Sequence, residues 1–230
     1  MFELDDVTVR HDGRTVLRVD HLVLPERRIG VVGANGSGKS TLLRVLDGLV
    51  AHTGQVRLVG DTVLDTVRDG REVRRRVGFC FQDPADQIVM PVVADDIAFG
   101  LKNRQVPVAQ HAGLVAGVLD RFGIGHLGPR TAATLSGGEK QLVALAAVLV
   151  LAPTTVLFDE PTGTLDLVHS LRFAQTLAGL DIQAVVATHD LELLDQFDRV
   201  LVLDAGHIVA DDAPGPALAV YRELAWAGAR

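Results

Sequence analysis

A chain of 230 residues with 48% hydrophobic content suits one large domain, or a core with a modest subdomain. Its formal net charge of −7 gives no electrostatic support for nucleic-acid binding, and its single cysteine, Cys80, excludes an intrachain disulfide. The start, Met1 to Asp6, lacks the basic and apolar regions of a signal peptide, and the longest unbroken apolar run, Leu142 to Ala152, is too short to span a bilayer, so a cytoplasmic protein is expected.

In chain order, Phe2 to Val9 and Val16 to Leu24 read as strands separated by a turn at His11-Asp12-Gly13-Arg14. The apolar run Ile29 to Val32 leads into Gly33-Ala34-Asn35-Gly36-Ser37-Gly38-Lys39-Ser40-Thr41, and Leu42, Leu43, Val45 and Leu46 follow at helical spacing. Gly54 to Val59 is a short strand, and the cluster Arg71, Arg74, Arg75, Arg76 reads as a solvated turn. Arg76 to Phe81 reads as a strand buried on both faces, with Cys80 as a small buried hydrophobe. Ala94 to Leu101, Val108 to Phe122 and Gly137 to Leu151 carry helical spacing, with breakers at Pro107, Gly123, Gly125 and Pro129. Thr155 to Phe158 is then a strand, Leu167 to Leu180 a helix, Ala184 to Ala187 a strand and Leu191 to Phe197 a short helix. Val200 to Leu203 and His207 to Ala210 close the pattern around the turn Asp204-Ala205-Gly206. Alternating strands and helices imply an α/β fold with a largely parallel sheet and ligands at the strand carboxyl ends. The expected division is an α/β core over 1–82 and 153–230, with an N-terminal antiparallel β subdomain, and a helical insertion over about 83–152.

Three segments carry chemistry. In Gly33 to Thr41 the glycines let several backbone N–H groups point inward, and with the following helix N-terminus they form a cradle for phosphate. Lys39 can reach the terminal phosphates of a nucleotide triphosphate, and the Ser40 hydroxyl can ligate Mg2+. The second segment is Asp159-Glu160, at the end of the apolar run Val156-Leu157-Phe158. Asp159 suits a magnesium-associated carboxylate; strand alternation turns Glu160 elsewhere, free to act as general base, and an ordinary acidic turn before Pro161 is the competing reading. The third is Leu135-Ser136-Gly137-Gly138-Glu139. Ser136 and Glu139 match a capping box, yet the two glycines lower helix propensity where it should help, which leaves bare backbone for a second phosphate contact.

Gly33 to Thr41, Gln82, Leu135 to Gln141, Val156 to Glu160, Thr164-Leu165-Asp166 and Thr188-His189-Asp190 follow one another as in the ATP-binding-cassette (ABC) ATPases, and on these motifs the whole chain resembles that family. The resemblance implies a P-loop NTPase core that binds ATP with Mg2+ through Gly33, Asn35, Gly36, Ser37, Gly38, Lys39, Ser40 and Thr41. It implies Ser40, Gln82 and Asp159 as metal-associated, and Glu160, Gln82 and His189 as catalytic. It makes Leu135, Ser136, Gly137, Gly138 and Glu139 the family signature, acting on the ATP of a second, identical or homologous subunit in a head-to-tail dimer. Asp166 becomes the dimer-contact aspartate, although by itself it reads as a helix N-cap. His11 stands where the family usually stacks an aromatic residue on adenine, Leu142 where an arginine is common, and Gly163-Thr164 where small residues are usual.

The segment Phe81 to Pro91, followed by Val92 to Gly100, is similar to that of the energy-coupling-factor ATPases, which power bacterial uptake of vitamins and transition-metal ions. That resemblance implies an integral membrane scaffold partner, a substrate-binding membrane protein and a place on the cytoplasmic face of the membrane. Arg27-Arg28-Ile29-Gly30 and the short length look most like the biotin-uptake members. The alternatives are another importer or exporter (cobalt, nickel or amino acid), a soluble ATP-gated clamp, or a regulatory module.

Overall fold

A computed structural model describes residues 1–228. The first part of the chain forms β1 (Phe2–His11), β2 (Arg14–Leu24), β3 (Arg28–Gly33), α1 (Lys39–Leu46), β4 (Thr53–Val59), β5 (Val63–Asp65), α2 (Gly70–Arg76) and β6 (Val77–Cys80). Helices α3 (Val93–Asn103), α4 (Val108–Arg121) and α5 (Gly137–Leu149) follow. The remainder is β7 (Thr155–Asp159), α6 (Leu167–Gly179), β8 (Gln183–Ala187), β9 (Arg199–Asp204), β10 (His207–Asp212) and α7 (Pro214–Gly228).

The chain divides into two compact units. The first takes in residues 1–77, Thr155–Glu160 and the chain from Ile182 onward. Its strands are hydrogen-bonded in the order β5-β4-β1-β2-β10-β9-β3-β8-β7. From β9 to β7 the pairing is parallel, and β3 and β7 are buried at every position, as expected of continuous apolar strands covered on both faces. From β5 to β2 it is antiparallel. The β1–β2 hairpin closes through Asp12 (φ 48°) and Gly13 (φ 77°), the pair of left-handed residues that a two-residue turn needs to match strand twist. This is the expected mixed fold, a parallel core continued by an antiparallel β layer.

The second unit takes in Gly78–Thr154 and Pro161–Asp181. Eight of the thirteen residues of α5 are buried, so it is the core helix of this unit, with α3 and α4 packed against it. Short 3-10 turns at Pro84–Asp86, Gly125–Leu127 and Ala132–Thr134 link the helices.

Three sequence readings need correction. The arginine cluster is no solvated turn: Gly70–Arg76 is a helix, and Glu72 pairs with Arg75 and Arg76 one turn on at 3.7 and 3.3 Å. Its run of charged residues hides any apolar period, because only Gly70 and Val73 are buried. The strand read over Arg76 to Phe81 is therefore shorter, Val77–Cys80. The helix read over Leu191 to Phe197 is a 3-10 turn, Leu193–Gln196. Strand β5 and helix α7 carry no expectation at all; α7 packs one narrow side, Ala217 and Leu218, toward β9 and β10.

Candidate nucleotide site

Strand β3 delivers the glycine loop. It runs between β9 and β8 in the buried sheet, so Gly33 emerges at the carboxyl edge of the parallel strands. The turn that follows uses Gly36 (φ 79°) and Gly38 (φ 108°), backbone angles that side chains rarely adopt. It is pinned by Ser37 N–H to Ala34 O (3.1 Å) and by Gly206 N–H to Ser37 O (2.9 Å). Gly38 occupies the N-cap of α1 and has no side chain to cap it, which leaves first-turn amides for an anion. The Ser37 hydroxyl oxygen is buried and without a partner among the described residues.

The charged groups of this unit converge on that loop. Lys39 Nζ donates to Gly33 O (2.8 Å) and Ala34 O (3.3 Å), and lies 4.0 Å from Glu160 Oε1. Burial lowers its pKa, with Glu160 and Asp159 acting in the opposite direction. Ser40 Oγ donates to Asp159 Oδ1 at 2.9 Å. Asp159 ends β7, is 1% exposed, and has its pKa raised by burial, with Ser40 opposing. A hydroxyl beside a buried carboxylate is a hard oxygen donor set of the kind Mg2+ takes. Among the described residues no group of three or more His, Cys, Asp or Glu could hold a metal alone, so this pair would hold Mg2+ only together with phosphate oxygens and water.

Glu160 differs from its sequence reading. It has left the strand: its φ is 51°, and its N–H donates to Ala187 O at 2.9 Å. Strand alternation therefore does not set its direction, and its carboxylate reaches the same loop as Asp159 rather than pointing away. Oε2 accepts from the His189 N–H at 3.1 Å; Oε1 is buried and has no hydrogen-bond partner among the described residues, although His189 Nε2 lies 3.1 Å from it. Burial raises its pKa, and the nearby His189 opposes this. His189 also places Nε2 3.2 Å from Asn35 Oδ1 of the glycine loop. Sequence reasoning missed that contact, and the turn that makes it: at the end of β8, Asp190 N–H donates to Thr188 Oγ1 (3.0 Å). Thr188-His189-Asp190 carried the signal as a side-chain turn.

His11 ends β1 in the first unit. Its ring is 80% exposed, with Nε2 3.5 Å from Asp12 Oδ2, so its faces are open.

The other expected residues belong to the second unit. Gln82 is exposed, just past β6. Ser136 caps α5 with both halves of a capping box, Glu139 N–H to Ser136 Oγ (3.3 Å) and Ser136 N–H to Glu139 Oε2 (2.7 Å), the latter holding the Glu139 pKa below its usual value. The glycines after it answer to no crowding. A Cβ on Gly137 would meet nothing within 4 Å, and one on Gly138 would meet only ordinary contacts at 3.5 Å or more. Asp166 is indeed an N-cap: Oδ1 accepts from both His169 N–H and His169 Nδ1 at 2.8 Å.

The sequence pattern of the ABC transporter family matches residues 18–163. The chain belongs to the ABC transporter family. A Deinococcus radiodurans protein named only as an ABC transporter ATP-binding protein is 50% identical over 228 residues, 98% of this chain and 100% of the relative. The biotin transport ATP-binding protein BioM of Rhizobium etli is 44% identical over 97% of this chain and 98% of its own. The solved structure of cbiO1 from Clostridium perfringens, part of the ABC transporter complex cbiONQ, superimposes with a TM-score of 0.82 at 29% identity, covering 97% of this chain and 93% of that one. This ABC protein is thus an ATP-binding subunit that hydrolyses ATP to drive transport. Among its described residues no helix is long and apolar enough to cross a membrane.

Proposed function

We propose that the chain is the ATPase subunit of an energy-coupling-factor importer, with biotin as its cargo and a transition-metal ion as the competing one. The reading is supported by 44% identity to BioM along nearly the whole of both chains. The likeness to cbiO1 supports the same class of machine. Two subunits, identical or homologous, close head to tail with a membrane scaffold and a substrate-binding membrane protein. The chain then works peripherally, on the cytoplasmic side.

The observation that carries the hydrolytic mechanism is the buried Glu160 Oε1, which has no hydrogen-bond partner among the described residues and lies 3.1 Å from His189 Nε2. An acceptor held ready in this way can take a proton from the attacking water, and burial, which raises its pKa, makes it the stronger base for that transfer. The His189 N–H fixes the other carboxylate oxygen and so holds the direction of Oε1. Lys39 and the first-turn amides of α1, with Gly33, Asn35, Gly36, Ser37, Gly38 and Thr41 around them, hold the phosphates. Ser40 and Asp159, with Gln82, would hold Mg2+, which when bound neutralises charge on the β- and γ-phosphate oxygens. His11 would lie against the base, Leu135 to Glu139 would meet the partner subunit's ATP, and Asp166 would touch the partner.

The test is to isolate the tagged chain from bacterial membranes and identify what accompanies it. Cells with and without the gene are then assayed for uptake of labelled biotin and of Co2+ or Ni2+. Co-purification of a membrane protein with loss of biotin uptake is expected. Loss of metal uptake alone would assign the competing cargo, and recovery without any membrane partner would overturn the importer reading.

A further inference from the structure

Within the second unit, one side chain closes the loop that contains Gln82. The N–H of Phe81 donates to Gln87 Oε1 at 3.3 Å, and Gln87 Nε2 donates to Ala144 O at 2.8 Å. Ala144 lies two turns into α5, the helix that begins at the signature residues Ser136 to Glu139. The loop between is stiff. Asp83 caps the Pro84–Asp86 turn through Ala85 N–H (2.8 Å), and the N–H groups of Gln87 and Ile88 both donate to Pro84 O. Residues 81–87 thus form a small closed ring, with Gln82 inside it and the Gln87 amide as its clasp. A shift of the backbone at Phe81 and Gln82 therefore either carries Gln87 with it or breaks its hydrogen bond to Phe81.

The downstream end of the same segment also meets the approach to the signature. Asp96, 5% exposed, accepts from Val89 N–H and Met90 N–H at 2.8 Å each. Val93 and Ala94 N–H then donate to Arg130 O and Gly128 O, and Ala132 N–H to Pro91 O. These contacts, the Asp96 carboxylate and the backbone bonds alike, position the part of the segment that follows Gln87. The Gln87 clasp joins the residue beside Gln82 to α5 through one side chain. The helix surface there also has unused polar capacity: Gln141, three residues before Ala144 and 1% exposed, has neither amide atom partnered among the described residues. A carbonyl, a clasp and an unpaired amide on one stretch of helix make a joint that can exchange partners, unlike an apolar contact of fixed geometry.

We propose that Gln87 is a positioning residue: it ties the Gln82 loop to the signature helix of the same chain, so that a displacement of Gln82 is passed to Ser136 to Glu139. This inference rests on the roles proposed above for Gln82 and the signature. In a head-to-tail dimer it links each subunit's own ATP, sensed at Gln82, to the signature that its partner's ATP meets.

The experiment uses the full chain with its co-purified partners and compares wild type, Gln87→Met, Gln87→Glu and Gln82→Ala. Met keeps the length and removes both hydrogen bonds. Glu keeps the acceptor for Phe81 N–H and removes the donor to Ala144 O. Exchange of the Phe81 amide is read by hydrogen–deuterium exchange, ATP affinity by equilibrium binding, and kcat by phosphate release. The expected pattern is faster Phe81 exchange in Gln87→Met alone. In both Gln87 variants ATP affinity stays within about twofold while kcat falls about tenfold, the scale of one well-placed hydrogen bond. A purely structural role would change Phe81 exchange in Gln87→Met without separating kcat from ATP affinity. If Gln82→Ala lowers kcat and both Gln87 variants retain it within twofold, the clasp is overturned and the site reading stands. If Gln82→Ala itself leaves kcat unchanged, the underlying reading fails and takes the clasp with it. Should Gln87→Met not fold, Gln87→Glu with protected Phe81 and lowered kcat decides for the clasp, and unchanged kcat decides against it.

Discussion

Asp47 closes α1, the helix behind the glycine loop, and it is in the wrong place for a charge. It is the C-cap residue, 3% exposed, with Oδ1 buried and unpartnered among the described residues. The carboxyl end of a helix repels an anion, and burial strips the carboxylate of water. Burial pushes its pKa up from 3.8 to about 7, with Arg74 pulling the other way. The folded pKa lies above the unfolded one, so between the two the native chain holds a proton that the unfolded chain releases. The resulting stability is complete below the unfolded pKa and is lost as pH rises toward 7. At 1.36 kcal/mol per unit, the full loss is about 4 kcal/mol, of which about 1.5 kcal/mol is already gone at pH 5. Asn has the same shape and no charge to lose. Asp47→Asn should therefore stabilise the chain by about 2 to 3 kcal/mol more at pH 8 than at pH 5. In a thermal melt the difference between the variant's Tm gains at the two pH values should reach roughly 5 to 10 °C. Paired melts of variant and wild type at both pH values measure it. A gain that is the same at pH 5 and pH 8 would refute the claim that Asp47 is a proton-holding group in the folded chain.

Glu160→Gln should lower kcat by about 10²-fold or more while leaving ATP affinity within about twofold, because only the proton acceptor is lost; phosphate release and equilibrium binding check the two halves. Ser40→Ala removes the hydroxyl paired with Asp159, and a Mg2+ titration of ATPase activity should shift to roughly tenfold higher concentration. Ser136→Ala deletes the capping box of α5 and should cost about 1 kcal/mol, seen as a Tm lower by roughly 2 to 4 °C. An unchanged Tm would mean that the first turn of α5 is held by something other than its cap.

Much of the fold could be read directly because its strands are so apolar. Ile29 to Val32 and Val156 to Phe158 announce buried parallel strands without any alternation to interpret. Helix α2 could not be read, since five of its seven residues are charged and its two buried positions are Gly70 and Val73. Nor could α7, where Pro214 and a weak apolar stripe conceal a helix that covers β9 and β10. The glycine loop and the acidic pair stood out in the sequence because the chemistry proposed for them needs particular residues at fixed spacing: glycine where φ is positive, a hydroxyl beside the lysine, a carboxylate at a strand end. Capping roles were legible too, as Ser136 and Asp166 demonstrate.

Directions and meetings were not. The alternation rule sent Glu160 away from Asp159, and the left-handed backbone after β7 brought it back beside Lys39 and His189. Asn35 and His189 are 154 positions apart, and Phe81 is joined to Ala144 through Gln87. The sequence by itself determined the glycine loop, its lysine and hydroxyls, and the carboxylates proposed here to hold phosphate and take a proton, because local chemistry constrains residue type. Only the tertiary structure decided which of their atoms remain unpaired and which are tied to one another, because those pairings depend on where distant strands end and how the chain turns after them.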